Sequence, residues 1–281
     1  MRKLFCLFLV LLLCSTACLA EETAAPEKVE SLPFAKNTPL MQVTFFKLGV
    51  EDSILIQCSG ETMLIDCGIL PSGQEVVDYL LERGITRIDY AVNTHPHDDH
   101  IDGFRTLFEK IEVAQFMVCY PLDFNAEMIA AIKSAEANGV PVVEFTEDDD
   151  LSFGGNIITL YQDPTSKNTN SRSMASHIRF GDCSIMLTAD VGAATLESFA
   201  KEAGEAIKAQ ILKLAHHGID TPNKFFFETV APEICVLTNY RTSERVQNTL
   251  SFLNRHKTPL LSIYQGNIDF YTDGKIWVYI Q

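Results

Sequence analysis

From Met41 onward the chain alternates between short apolar runs and polar punctuation. "MQVTFFKLG", "SILIQCSG" and "ETMLIDCG" are β-prone runs broken by glycine, and they predict a strand meander. "GQEVVDYLLERG" changes the period: apolar residues fall at helical spacing before a glycine stop, predicting a helix from Gln74 to Arg83. "IDYAVNT" then reads as a buried strand. Further on, the pattern predicts helices over 126–138, 194–203 and 244–256. Strands are predicted at 140–145 and 156–161, in "SHIRFG" and "CSIMLTAD", at 209–215 and 234–238, and near 260–264, 268–271 and 275–280. Mixed strands with helices between them predict an α/β (α+β) fold, two sheets packed face to face with helices outside.

The first forty residues read differently. "MRKLFCLFLVLLLCSTACLA" has Arg2 and Lys3, an apolar core and small residues ending at Ala20, the layout of a secretory signal peptide and short for a membrane anchor. Cleavage after Ala20 is expected. "STAC" offers a lipobox as the alternative, with Cys18 as a lipidated N-terminus. Either route takes the protein out of the cytoplasm, to the cell surface or beyond. Residues 21–40, rich in Pro, Ala and charge, are expected to be a linker without regular structure.

Charge narrows the classes. With 22 basic and 37 acidic residues the formal net charge is −15, and loss of the basic leader makes the mature chain more acidic still. Such a surface repels polyanions and argues against non-specific nucleic-acid binding, although a metal site would reverse the sign locally. Five cysteines remain beyond the leader (Cys58, Cys67, Cys119, Cys183 and Cys235). An odd count in apolar runs reads as packing residues rather than a disulfide framework.

Candidate chemistry gathers at strand ends. "NTHPHDDHIDG" places His95, His97, Asp99 and His100 directly after "IDYAV". His95 and His97, two apart on an extended segment, point to one side and can grip one ion; Asp99 and His100 follow at the turn and can face a second. "ILKLAHHGID" ends another apolar strand at His216 and His217. His216 is expected to ligate with His217 near the substrate, although spacing alone permits the reverse. Five of the seven histidines fall in these two motifs, which disfavours a merely solvated polar turn. "CSIMLTADVG" delivers Asp190, a carboxylate able to bridge two ions or to cap the following helix. Asp66 in "TMLIDCG" can orient a ligand histidine or simply serve a turn. Imidazole with carboxylate suits zinc, and manganese or iron as alternatives.

These residues resemble a known family. "HPHDDH", "LTAD" and "LKLAHHG" are similar to successive motifs of the metallo-β-lactamase superfamily, and the nearest branch is the nuclease-like domain of ComEC-type competence proteins and its secreted relatives. The likeness covers nearly all of 41–281. "FFKLGVEDSILIQ" resembles the branch's opening "DVGQGD" strand pair, with Lys47 and Glu51 departing from it and Asp52 retained. "NTNSRSMASHIRFG" resembles its Asn/Ser strand, where Asn168 and Asn170 stand in place of the third-motif histidine of lactamases and lactonases. The resemblance implies an αββα four-layer sandwich over 41–281 with two divalent ions, most simply zinc. It also implies an exported hydrolase of phosphodiesters or other phosphoesters, small-molecule or cell-envelope, acting through a hydroxide held by both ions. His95 and His97 would hold one ion, Asp99, His100 and His216 the other, with Asp190 bridging; Asp66, Asn170 and His217 would serve the chemistry. Lactam, lactone or other acyl hydrolysis is the alternative, as is a metal-binding surface protein with little catalysis.

Overall fold

A computed structural model of the chain describes residues 25–149 and 151–281. The expected leader, residues 21–24 and Asp150 lie outside the described residues.

The first sheet has nine strands. Their spatial order is Glu27–Lys28, Trp277–Ile280, Ile268–Thr272, Met41–Phe45, Ile54–Cys58, Glu61–Ile65, Tyr90–Asn93, Phe116–Val118 and Val142–Glu144. The second has seven: Leu151–Phe153, Asn156–Tyr161, Ala175–Phe180, Cys183–Leu187, Ile211–Lys213, Ile234–Leu237 and Leu260–Ser262. In the first sheet the four strands from Glu61–Ile65 to Val142–Glu144 run parallel, as do the four from Cys183–Leu187 to Leu260–Ser262 in the second. Parallel neighbours need crossover connections. The helices Leu70–Glu82, Phe104–Lys110 and Ala126–Ala137 supply them in the first half, and Ala193–Ala203, Lys224–Val230 and Gln247–His256 in the second.

Strand alternation sorts the side chains into layers. Ile185, Leu187, Ile211, Ile234 and Val236 of the second sheet share one core with Val43, Phe45 and Ile56 of the first. Their chain neighbours Met186, Leu212, Cys235 and Leu237 point the other way, onto Leu196, Phe199, Phe226 and Phe252 of the outer helices. The result is the expected αββα sandwich. The five cysteines beyond the leader are buried, and among the described residues none is paired. No helix among the described residues is long and apolar enough to cross a membrane.

Several elements differ from the pattern. The first long helix begins at Leu70 rather than Gln74, because Pro71 sits in its first turn, where a missing N–H costs nothing. Glu244–Val246 is a 3-10 turn leading into Gln247–His256. Within the expected linker, Glu27–Lys28 adds a short parallel strand to Trp277–Ile280.

Candidate metal centre

The chemistry-bearing residues sit where parallel strands end at their carboxyl termini, as is usual for sites on such sheets. Asp66 follows Glu61–Ile65, and His95 and His97 follow Tyr90–Asn93. Asp190 follows Cys183–Leu187, His216 and His217 follow Ile211–Lys213, and Thr238 follows Ile234–Leu237. Three of these turns are conformationally costly. Asp66, Ala189, His216 and His217 all have φ between 43° and 55°, a left-handed region that non-glycine residues rarely occupy. Gly218 completes the last turn at φ 70°, where a Cβ would lie 2.4 Å from Leu237 Cδ1.

Asp66 is a buried hub. Its Oδ1 accepts from the Thr94 N–H at 2.8 Å and Asn93 Nδ2 at 3.1 Å, and its Oδ2 accepts from Thr94 Oγ1 at 2.7 Å. Its Oδ2 also meets His100 Nδ1 at 2.7 Å, which leaves His100 Nε2 facing inward. There His100 Nε2 lies 3.4 Å from Asp190 Oδ1 and 3.9 Å from Asp99 Oδ1.

Asp190 stands at the centre. Its Oδ2 faces three imidazole nitrogens, with His95 Nε2 at 3.8 Å, His216 Nε2 at 3.8 Å and His217 Nε2 at 3.6 Å. His217 Nε2 is also 3.2 Å from Asp99 Oδ2, while its Nδ1 faces Asp52 Oδ1 at 3.3 Å and Thr238 Oγ1 at 3.2 Å. His97 Nδ1 meets His95 Nε2 at 3.1 Å. On the outer side His216, a quarter exposed, meets Asp220 Oδ2 through Nδ1 at 2.7 Å and Asn170 Nδ2 through Nε2 at 3.1 Å.

This donor set fits divalent cations. Most separations around Asp190 are longer than a hydrogen bond, yet near the ~3.4 Å expected between two ligands ~2.0–2.1 Å from one tetrahedral ion. Among the described residues, His100 Nε2, His217 Nε2 and Asp190 Oδ1 are buried without a hydrogen-bond partner, a costly condition that a cation would relieve. Asp52, His100, Asp190 and His217 each offer a ligand atom within 4.8 Å of the others. The electrostatics agree. Burial alone would raise Asp190, but His100 and then His217 hold its carboxyl well below the usual range. Burial alone would lower His217, but Asp52, then Asp190 and Asp99, bring it up to about 9. His95 lies well below the ordinary imidazole value, through burial and then the neighbouring His100.

Residues 47–221 match the family model of the metallo-beta-lactamase superfamily. The chain belongs to that superfamily. It is 25% identical over 199 residues to "Competence protein ComA" of Neisseria gonorrhoeae, across 70% of this chain but only 27% of that protein. Among solved structures it resembles the metallo-beta-lactamase fold protein YhfI from Bacillus subtilis. That match has a TM-score of 0.53 and 15% identity, and covers 80% of this chain and 95% of the other. It also resembles CmlA, a diiron beta-hydroxylase from Streptomyces venezuelae, with a TM-score of 0.51 and 11% identity, covering 84% and 53%. At these identities the structural matches establish the fold alone. The chain is a member of a metal-dependent hydrolase family with a candidate two-metal site. Because CmlA carries a different reaction on the same fold, the reaction here has to be argued from the site.

The structure brings His95, His97, Asp99, His100, Asp190, His216 and His217 into one cluster, with Asp66 behind it and Asn170 beside His216. It corrects the expected order of the tandem pair. His217, not His216, faces Asp99 beside His100, and His216 turns toward Asn170. Adjacent residues in left-handed turns cannot share a direction, and their ring centroids lie 6.2 Å apart. Two residues given no role by the motifs join the cluster, Asp52, the retained aspartate of the opening motif, and the fully buried Lys213. His177 lies apart, with its Nε2 on the Lys208 carbonyl at 2.9 Å.

Proposed function

We propose that this protein is an exported metal-dependent hydrolase of phosphoesters, with phosphodiesters as the leading substrate class. The convergence of His95, His216 and His217 on one oxygen of Asp190 carries the reading. We assign His95, His97 and His216 to one ion and Asp99, His100 and His217 to the other, with Asp190, which faces four of these imidazoles, between them. Two divalent ions there, zinc by donor chemistry with manganese or iron as alternatives, would lower the pKa of water and polarise a phosphoryl oxygen. The chain's own groups do the rest. Asp66 fixes the His100 ring, Asp220 fixes His216, and Asn170 presents an amide beside His216 for a substrate oxygen. Ser173 has a buried hydroxyl without a partner three residues further on. An amide rather than a third-motif histidine, together with the likeness to a competence protein over 70% of the chain, favours phosphoesters over acyl substrates.

The test is a substrate panel of bis-p-nitrophenyl phosphate, nitrocefin and a lactone, each with and without zinc or manganese. Metal-dependent turnover of the phosphodiester supports the reading. Cleavage of nitrocefin or the lactone alone would overturn the substrate class, and two bound ions with no turnover would overturn the enzyme. Export has its own measurement. Intact mass from the native host is expected to show a mature chain starting at Glu21, or at a lipidated Cys18; a cytoplasmic chain retaining Met1 refutes both.

Metal affinity should depend on pH in a stated direction. A ligand imidazole must be neutral, and His217 holds its proton up to about 9, so an ion on that side displaces a proton at any lower pH. His95 is already neutral at pH 7. His100 on the same side is also held well above the ordinary imidazole value, so two protons leave and apparent affinity there is expected to climb by up to roughly a hundredfold per pH unit toward pH ~9. Acidification from neutrality should release that ion first. Chelator competition across this range checks it, and a flat profile for both ions contradicts the assignment.

A further inference from the structure

Lys213 is a basic side chain buried completely inside a cluster built for cations. Its Nζ forms an ion pair with Asp52 Oδ2, donates to the Ala189 carbonyl at 3.0 Å and lies 3.9 Å from Asp190 Oδ1. The Ala189 carbonyl also accepts the His216 N–H at 2.9 Å, so Lys213 ties the Asp190 turn and the tandem-histidine turn to the loop that carries Asp52.

Asp52 has the charge and position of a ligand, but its geometry is that of a positioning group. An imidazole's two nitrogens point to opposite sides. Asp99 and Asp190 lie on the Nε2 side of His217, and Asp52 lies on the Nδ1 side. Asp52 and Asp99 therefore cannot both serve an ion held by His217. A related arrangement stands at His100, where Asp66 is hydrogen-bonded to Nδ1 and leaves Nε2 toward Asp190 and Asp99; at His217 the Nδ1 hydrogen bond goes to Thr238 Oγ1, with Asp52 Oδ1 beside it at 3.3 Å. Asp66 is in turn fixed by Thr94 and Asn93. Lys213 does for Asp52 what those residues do for Asp66.

We propose that Asp52 and Lys213 are a positioning pair and not part of the ligand set: Lys213 anchors the Asp52 carboxylate, and Asp52 holds the His217 ring with Nε2 toward Asp99 and Asp190. The proposal rests on the two-ion reading above. Partners of this kind change metal affinity by about ten- to a hundred-fold when removed.

The sign of one measurement separates the two roles. Zinc stoichiometry and affinity are measured by chelator competition for the wild-type protein, Lys213→Met, and Lys213→Met combined with Asp52→Asn. Side-chain nitrogen NMR of His217 in the zinc-loaded proteins reports which ring nitrogen keeps its proton. In Lys213→Met one ion is expected to bind as in wild type and the other roughly ten- to a hundred-fold more weakly, with His217 no longer held as a single Nδ1–H species. If Lys213 were instead withholding a ligand, freeing Asp52 would tighten binding. Unchanged or tighter binding of both ions overturns the proposal. Should Lys213→Met fail to fold for want of a partner to Asp52, the double variant replaces the pair with neutral groups of similar size. The same selective weakening is expected there, and two undiminished ions overturn the proposal. A wild-type chain that binds no zinc overturns both the two-ion reading and this inference; two ions in wild type with no change in the variants overturns this inference alone.

Discussion

Asp190→Ala should strip the protein of both ions at once and abolish turnover. The carboxylate has one oxygen toward His100 and the other toward His95, His216 and His217, so it is the single group common to both sides of the site. It is also the charge that keeps His100 well above the ordinary imidazole range. Its removal leaves four imidazoles facing a void, with the charge on His100 and His217 no longer offset there. Phosphodiester turnover is expected to fall by about ten-thousand-fold, the scale for losing one member of a catalytic unit. Elemental analysis after zinc reconstitution should then find almost no bound metal, with the fold retained by circular dichroism. The folded state is expected to persist because its inter-sheet core lies beneath the strand ends, not at them. A variant that keeps two ions, or keeps one at full affinity, would show that Asp190 does not join the sides.

Much of this site is legible in the sequence because its ligands are bunched. Asp98–Ile101 is the short helix on which Asp99 and His100 stand, and a run of histidines and aspartates after an apolar strand announces it. The two-residue spacing of His95 and His97 is equally direct. Lys213 is hidden by its company. "ILKLA" reads as an ordinary apolar strand, yet its alternation carries a signal. Ile211 faces the inter-sheet core while Leu212 and Leu214 face the outer helices, so Lys213 shares the buried face with Ile211. A charged side chain on a buried face is rare without a partner, and that partner has to be an acid. Asp52 is legible only as a retained motif residue and its place in the site is not, since it lies more than forty residues before the histidine cluster in a loop and meets Lys213 only through the packing of two sheets. Short helices were also out of reach. Phe104–Lys110 and Lys224–Val230 have seven residues each, too few for a helical period to stand out from the apolar strands beside them.

His216→Ala and His217→Ala are expected to remove different ions. Sequence presents the two as equivalent neighbours, but the backbone sends their rings apart. His217 Nε2 faces Asp99 Oδ2 at 3.2 Å, across from His100, whereas His216 Nε2 lies beside Asn170 and is assigned to the ion of His95 and His97. On the proposed division His216 would supply the nitrogen that a third-motif histidine would otherwise bring, from the residue next to the other ion's ligand. Each single variant should retain about one zinc per chain and lose roughly a hundred- to a thousand-fold in turnover, the scale of removing one aligned electrostatic contact. Combining them tells whether the sides are separate. His97→Ala with His216→Ala should still hold one ion, because both residues serve the same side, while His216→Ala with His217→Ala should hold none. This is a double-mutant argument, and it works because coupling is expected only within a side. His216 is partly exposed and its loss leaves no buried cavity, so that variant should melt close to wild type; His217 is buried and its removal should lower the melting temperature by a few degrees. If His216→Ala keeps both ions while His217→Ala loses both, the tandem pair does not divide the metals, and the His95 side must find its third donor elsewhere.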